Sequence, residues 1–156
     1  MIKVLFVCLG NICRSPMAEG MLRKMIKDQG LESMIYVESR ATSTWEDGNP
    51  PHPGTRKILD RIGADYTGKA STQIKDLDFI EFDYIIGMDH ENIKYLNSHA
   101  GSYSNKIYLL RDIDPNTIGE IVPDPYFSGE HEKTYLLLVD ALKLWLDKLK
   151  NESVLY

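Results

Sequence analysis

The stretch Ile2–Pro16, IKVLFVCLGNICRSP, passes from an apolar run through a turn into a helix start. Ile2 to Val7 is nearly continuous in apolar residues, as expected of a strand covered on both faces of a parallel sheet. Gly10 and Asn11 interrupt it. Ser15 then offers an N-cap and Pro16 suits the first helical position. Met17, Met21, Leu22 and Met25 recur at helical spacing up to a stop at Gly30. The unit is strand, short loop, helix, and it puts Cys8 at the carboxyl end of the strand.

The pattern repeats downstream. Ile35 to Ala41 alternates like a strand, and Thr55 to Ile62, ending at Gly63, fits a helix after the turn-rich GNPPHPG. Asp83 to Met88 is a third strand, followed by the helical HENIKYLNS, the strand KIYLL and a loop around IGEIVPDPYFSGE. Tyr135, Leu138, Leu142, Trp145, Leu146 and Leu149 form one apolar stripe on a final helix over about 131–151. Alternation of strands and helices predicts an α/β fold, a doubly wound four-stranded parallel sheet with helices on both faces, in one domain over 1–156.

Composition narrows the function. The 156 residues are 43% hydrophobic and 26% charged with a formal charge of −5, which argues against a general nucleic-acid surface. The apolar N-terminal run is too short for a signal peptide or a membrane span. A reducing, cytoplasmic setting is expected, with signal-independent export left open. The two cysteines therefore read as thiols rather than a disulfide framework. His52, His90, His99 and His131 show no zinc-ligand spacing with either cysteine, so no metal and no cofactor is expected.

The turn after a first strand is a usual anion site in open α/β sheets. Backbone N–H groups from Leu9 through Gly10, Asn11, Ile12, Cys13 and Arg14 to Ser15 are placed to wrap an oxyanion, with the helix N-terminus adding partial positive charge. Gly10 lets the backbone bend, and Asn11 tolerates a left-handed conformation. Arg14 supplies a planar fork for two phosphate oxygens. A thiol in such surroundings is favoured as the thiolate, and Ser15 can donate its hydroxyl to that sulfur. A nucleophile beneath a bound phosphate can attack phosphorus in line. That nucleophile is Cys8; its bland alternative is a buried cysteine at a strand end.

VCLGNICRSPMAE, residues 7–19, resembles the phosphate-binding loop of the low-molecular-weight protein tyrosine phosphatases, C-x4-C-R-S near the N-terminus. The resemblance continues through VESRATSTW (37–45), GNPP (48–51), FDYIIGMDHEN (82–92) and DPYF (124–127). It implies Cys8 as nucleophile, Arg14 as phosphate clamp, Asp124 as general acid and base, and Asn11, Ser15 and Ser39 as loop supports. By local sequence alone Asp124 is a turn aspartate before proline. Asp89 reads as the cap of the following helix and a stabiliser of the loop.

Trp45, Tyr126 and Phe127 are candidate walls for an aromatic substrate, Phe127 standing where many relatives carry tyrosine; each is otherwise an ordinary aromatic. Cys13 is either a redox partner that captures an oxidised Cys8 or a packed small apolar residue. Gly68-Lys69 stands where many relatives show a histidine that braces the loop, so Glu19, its usual partner, needs Lys69 or another donor. The expected substrates are phosphotyrosyl proteins or peptides and aryl phosphates. Inorganic phosphate is the product and an inhibitor, and a weak homodimer is allowed. Two rivals remain: a thiol-dependent arsenate reductase, short here of relay cysteines, and a phosphotyrosine-binding module without turnover.

Overall fold

Four parallel strands, β1 (Ile2–Cys8), β2 (Ile35–Ala41), β3 (Tyr84–Gly87) and β4 (Ile107–Leu109), form a sheet in the order β2-β1-β3-β4. The structure, a computed structural model, describes residues 1–154. From β1 the chain steps outward to β2, then returns to β3 on the other side of β1. This reversal opens the crevice in which such sheets bind ligands. Cys8 ends β1 there, paired with Ala41 of β2.

Alternation along β1 sends its side chains to two cores. Ile2, Val4, Phe6 and Cys8 face the side covered by α1 (Arg14–Asp28), α2 (Pro53–Ile62) and α6 (His131–Ser153). Leu5 and Val7 face the other, packing with Phe79 of α3 (Asp76–Glu81) and Leu96 of α4 (His90–Ala100). Trp145 anchors α6: it is fully buried, its Nε1 donates to the Leu110 carbonyl at 2.8 Å, and the rings of Tyr84 and Tyr108 meet it edge-on. The doubly wound sheet read from the alternating pattern is the sheet observed.

Several boundaries differ from the sequence expectation. Helix α1 begins at Arg14, and Ser15 is not its cap: no side chain caps this helix, because the Ser15 hydroxyl turns toward the Cys8 sulfur. Pro16 is still tolerated, since first-turn N–H groups have no helical partner to lose. Helix α2 starts at Pro53, with the His52 ring accepting from the Gly54 N–H at 3.0 Å. The six-residue α3 and the four-residue α5 (Pro125–Ser128) went unpredicted, being too short to show a helical period.

Candidate active site

Five carbonyls of the loop over residues 8–15 are held by groups outside it. The Cys8 carbonyl accepts from Thr42 N at 3.0 Å, and that of Leu9 from Ser43 N at 3.1 Å and Ser43 Oγ at 2.9 Å. The Gly10 carbonyl accepts from Ser71 Oγ at 2.8 Å, that of Ile12 from His52 N at 2.8 Å, and that of Cys13 from Thr55 Oγ1 at 3.1 Å. With the carbonyls fixed outward, the N–H edge faces in, the geometry of an anion nest. Asn11 makes the turn in the left-handed region, at φ 55°, whereas Gly10 is not left-handed. Asparagine is among the few residues that adopt this conformation at low cost.

The side chain of Asn11 then sets the direction of a polar chain. Its Oδ1 accepts from Thr72 N at 3.2 Å, which fixes the amide orientation. Its Nδ2 donates to Ser15 Oγ at 2.7 Å and to Ser39 Oγ at 2.9 Å. Ser15 is fully buried, so the one hydrogen of its hydroxyl goes to its remaining neighbour, Cys8 Sγ, at 3.0 Å. Asn11 N also donates to that sulfur, at 3.3 Å. Two donors converge on the Cys8 sulfur. At the other end Ser39 Oγ donates to Glu19 Oε1 at 2.5 Å. Glu19 is held by Lys69 at 3.3 Å and Arg23 at 2.7 Å, so Lys69 supplies the donor that the missing histidine left in question.

Arg14 is 2% exposed. Its Nη1 donates to Asp89 Oδ2 at 2.6 Å and to the Val122 carbonyl at 2.9 Å. Asp89 meanwhile caps α4 through Asn92 N at 2.8 Å, so one carboxylate fixes both the helix and the guanidinium. Among the described residues, the buried Arg14 Nε has no protein partner and Nη2 has only Asp124 Oδ2 at 3.6 Å. That Nε–Nη2 edge is the fork a tetrahedral anion takes. Burial opposes the Arg14 charge, but Cys8, Asp89 and Asp124 outweigh it and raise its pKa further.

A cavity of about 130 Å³ opens above the loop, lined by Cys8, Leu9, Ile12 and Cys13 at its floor, Trp45, Tyr126 and Phe127 at its sides, and Asp124. Trp45 is 78% and Phe127 85% exposed, and the Phe127 ring stands edge-on to Tyr126 at 5.0 Å. Asp124 caps α5, with Oδ1 accepting from Tyr126 N at 3.0 Å while Oδ2 faces Arg14. Cys13 is a buried free thiol whose pKa is pushed up to about 12 by burial and by the charges of Cys8 and Asp124.

The fold thus brings together Cys8, Arg14, Asp124, Asn11, Ser15, Ser39, Asp89 and the three aromatics. Sequence reasoning missed Glu46 at the cavity and the carbonyl-holding Ser43, Ser71 and Thr55. Their signal is weak, since a serine or threonine in a loop has many ordinary uses.

The chain matches the family model for low molecular weight phosphotyrosine protein phosphatase over residues 3–155. It is 43% identical over 157 residues to the Bacillus subtilis low molecular weight protein-tyrosine-phosphatase YfkJ, covering 99% of this chain and 100% of that one. The crystal structure of YfkJ superposes with a TM-score of 0.93, covering 97% and 96% of the two chains. The Streptococcus pyogenes low molecular weight protein tyrosine phosphatase gives a TM-score of 0.84 at 44% identity, covering 96% and 93%. A Drosophila arginine phosphatase gives 0.85 at 33%, covering 96% and 98%. Matched from end to end in sequence and in fold, this chain belongs to the low molecular weight phosphotyrosine protein phosphatase family.

Proposed function

We propose that this phosphatase hydrolyses phosphotyrosine and aryl phosphate monoesters in two steps through Cys8. In the first, the Cys8 thiolate attacks phosphorus in line, an S–P bond forms and the P–O bond to the aryl group breaks. The departing phenolate takes the proton of Asp124. In the second, the Asp124 carboxylate accepts a proton from water as that water attacks phosphorus. Inorganic phosphate leaves, and the sulfur departs as thiolate toward the Ser15 hydroxyl. Arg14 and the amides of Leu9 to Ser15 hold the equatorial oxygens in both steps.

The observation that carries this reading is the directed chain from Glu19 through Ser39, Asn11 and Ser15, ending with a donor on Cys8 at the floor of an aromatic-sided cavity. The Trp45, Tyr126 and Phe127 walls suit a flat ring whose phosphate reaches the loop. Cys13 then serves as the resolving thiol for an oxidised Cys8, and a phosphotyrosyl protein in the cytoplasm is the natural substrate. Among the described residues no helix is long and apolar enough to cross a membrane.

The test compares wild type with Cys8→Ser on an aryl phosphate and on phosphotyrosyl, phosphoseryl and phosphoarginyl peptides, in the presence of chelator. Fast turnover of the aryl and phosphotyrosyl substrates, lost in Cys8→Ser, is expected. Preference for the phosphoarginyl peptide would move the chain to the chemistry named for its Drosophila neighbour. Stoichiometric binding without turnover would make it a reader of phosphotyrosine.

A further inference from the structure

Linear spacing gives no zinc motif, yet the fold brings two distant histidines to one thiol. Cys13 from the phosphate loop, His52 from the cap of α2 and His131 from the start of α6 each place one ligating atom so that all lie within 4.8 Å of one another. The two imidazoles stack, with centroids 4.7 Å apart and planes 18° from parallel. None of the proposed chemistry uses either ring.

His131 carries the second observation. It is 7% exposed, and its buried Nε2 has no hydrogen-bond partner among the described residues. Its Nδ1 lies 3.4 Å from the Gly129 carbonyl, so the ring proton belongs on Nδ1 and the Nε2 lone pair is bare. A metal-binding histidine usually shows this pattern, one nitrogen donating to a carbonyl and the other free for the ion. The backbone is also shaped around this ring: a Cβ on Gly54 would sit 2.4 Å from His131 Nδ1. An uncompensated buried lone pair is costly and marks a group whose partner is supplied from outside.

We propose that Cys13, His52 and His131 form a binding site for a borderline-soft divalent cation, of which Zn2+ is the type, separate from the nucleophile Cys8. One sulfur and two imidazole nitrogens are the donor set such a cation prefers, and the half-exposed His52 leaves a fourth position for water. Binding needs no redox step. The Cys13 thiol releases its proton to solvent, its sulfur donates an electron pair to the cation, and His131 Nε2 does the same. His52 is the weakest ligand, because its Nδ1 lone pair accepts from Gly54 N at 3.0 Å and ligation through either ring nitrogen breaks that cap.

The effect on the enzyme is inhibition. Metal–ligand bonds of ~2.0–2.3 Å would lock the three donor atoms around one ion, and Cys13 lies within the loop that cradles phosphate. His131 follows the acid-bearing segment directly and His52 meets Tyr126 edge-on at 6.0 Å, so fixing both rings on one ion also constrains the loop of Asp124.

Zn2+ competition against a chromophoric chelator, and Co2+ absorption spectra, on chelator-stripped full-length protein without substrate test the site independently of the phosphatase reading. Wild type and Cys8→Ser should bind one equivalent, and their Co2+ forms should show thiolate charge-transfer and intense tetrahedral bands. Cys13→Ala should lose the charge-transfer band. Zn2+ affinity should fall at least ~100-fold in His131→Gln and about tenfold in His52→Gln. His131→Gln should keep its metal-free activity while escaping Zn2+ inhibition. Unchanged affinity in His131→Gln, or loss of binding and of the charge-transfer band in Cys8→Ser, overturns the proposal; the latter would put the metal on the nucleophile. If His131→Gln fails to fold, the contrast between Cys8→Ser and Cys13→Ala still decides which sulfur binds.

Discussion

Lys69 Nζ lies 3.3 Å from Glu19 Oε1 and donates at 2.9 Å to the Ser39 carbonyl, so one part-buried ammonium ties α1 to β2 behind the phosphate loop. Glu19 receives the Ser39 hydroxyl, and through Asn11 and Ser15 that arrangement ends on the Cys8 sulfur. Lys69→Met leaves Arg23 on Glu19 and Arg40 on the Ser39 carbonyl, but removes the ammonium that serves both. We expect a stability loss of ~1–3 kcal/mol and roughly a tenfold fall in kcat/KM, with Lys69→Gln, which keeps a donor, losing less. Denaturant unfolding and steady-state kinetics on the pair check this; equal losses in both variants would show that the donor is not what matters.

The same residue gives a pH signature. Burial lowers the Lys69 pKa below its usual 10.5, Glu19 only partly offsetting it. Between the folded and the unfolded pKa the unfolded chain binds more protons, so this group's contribution to stability rises with pH in that window. Wild type should therefore gain stability relative to Lys69→Met as pH rises from neutrality toward ~10.4, where a free lysine titrates. A flat difference between the two unfolding curves across that range would contradict the assignment.

Asn11 combines a left-handed backbone with three side-chain hydrogen bonds, and two substitutions separate these contributions. Asn11→Gly keeps the conformation and loses the bonds, at a cost of roughly 2–4 kcal/mol. Asn11→Ala loses the bonds and strains the turn, for about 1 kcal/mol more. Unfolding free energies for the two variants test the order; an alanine variant as stable as the glycine one would mean that φ is not what selects asparagine here.

On the proposed mechanism Ser15→Ala removes the hydroxyl that receives the leaving sulfur in the second step. A hydrogen bond to a charged group contributes ~1.5–3 kcal/mol, so hydrolysis of the cysteinyl-phosphate should slow about 10- to 150-fold. Formation of the intermediate should suffer less. Rapid-mixing experiments should then show a burst of phenol near one equivalent before slow turnover, and a variant that slows without a burst would place Ser15 in the first step instead.

Much of this site was legible in the sequence because the chemistry is concentrated in one contiguous stretch. Cys8, Asn11, Arg14 and Ser15 lie within a single turn between a strand and a helix, and the apolar pattern of Ile2–Val7 and Met17–Met25 frames that turn without help from distant residues. The supports that tertiary structure assembles were less visible. Ser43, Ser71 and Thr55 each hold one carbonyl of the loop from a different segment, and no local pattern separates them from other loop hydroxyls. Ser15 reads from the sequence both as a helix cap and as a donor to the Cys8 sulfur, and only the second holds, because its single hydroxyl proton goes to the sulfur. The meeting of His52 and His131 at Cys13 depends on α2 and α6 packing on one face of the sheet, which spacing along the chain does not encode.

Asp124 lines the cavity and is held by two contacts, the Tyr126 N–H on Oδ1 and the Arg14 guanidinium 3.6 Å from Oδ2; on the proposed mechanism its carboxyl protonates the departing oxygen. Asp124→Asn keeps the size and the cap acceptor but carries no transferable proton. The loss should depend on the leaving group: about 10²- to 10⁴-fold for phosphotyrosine and other esters of weakly acidic phenols, and much less for a nitrophenyl ester, whose phenolate departs without protonation. A plot of log kcat/KM against leaving-group pKa should be shallow for wild type and steep for Asp124→Asn. Parallel plots would remove Asp124 from proton transfer and leave it as the cap of α5.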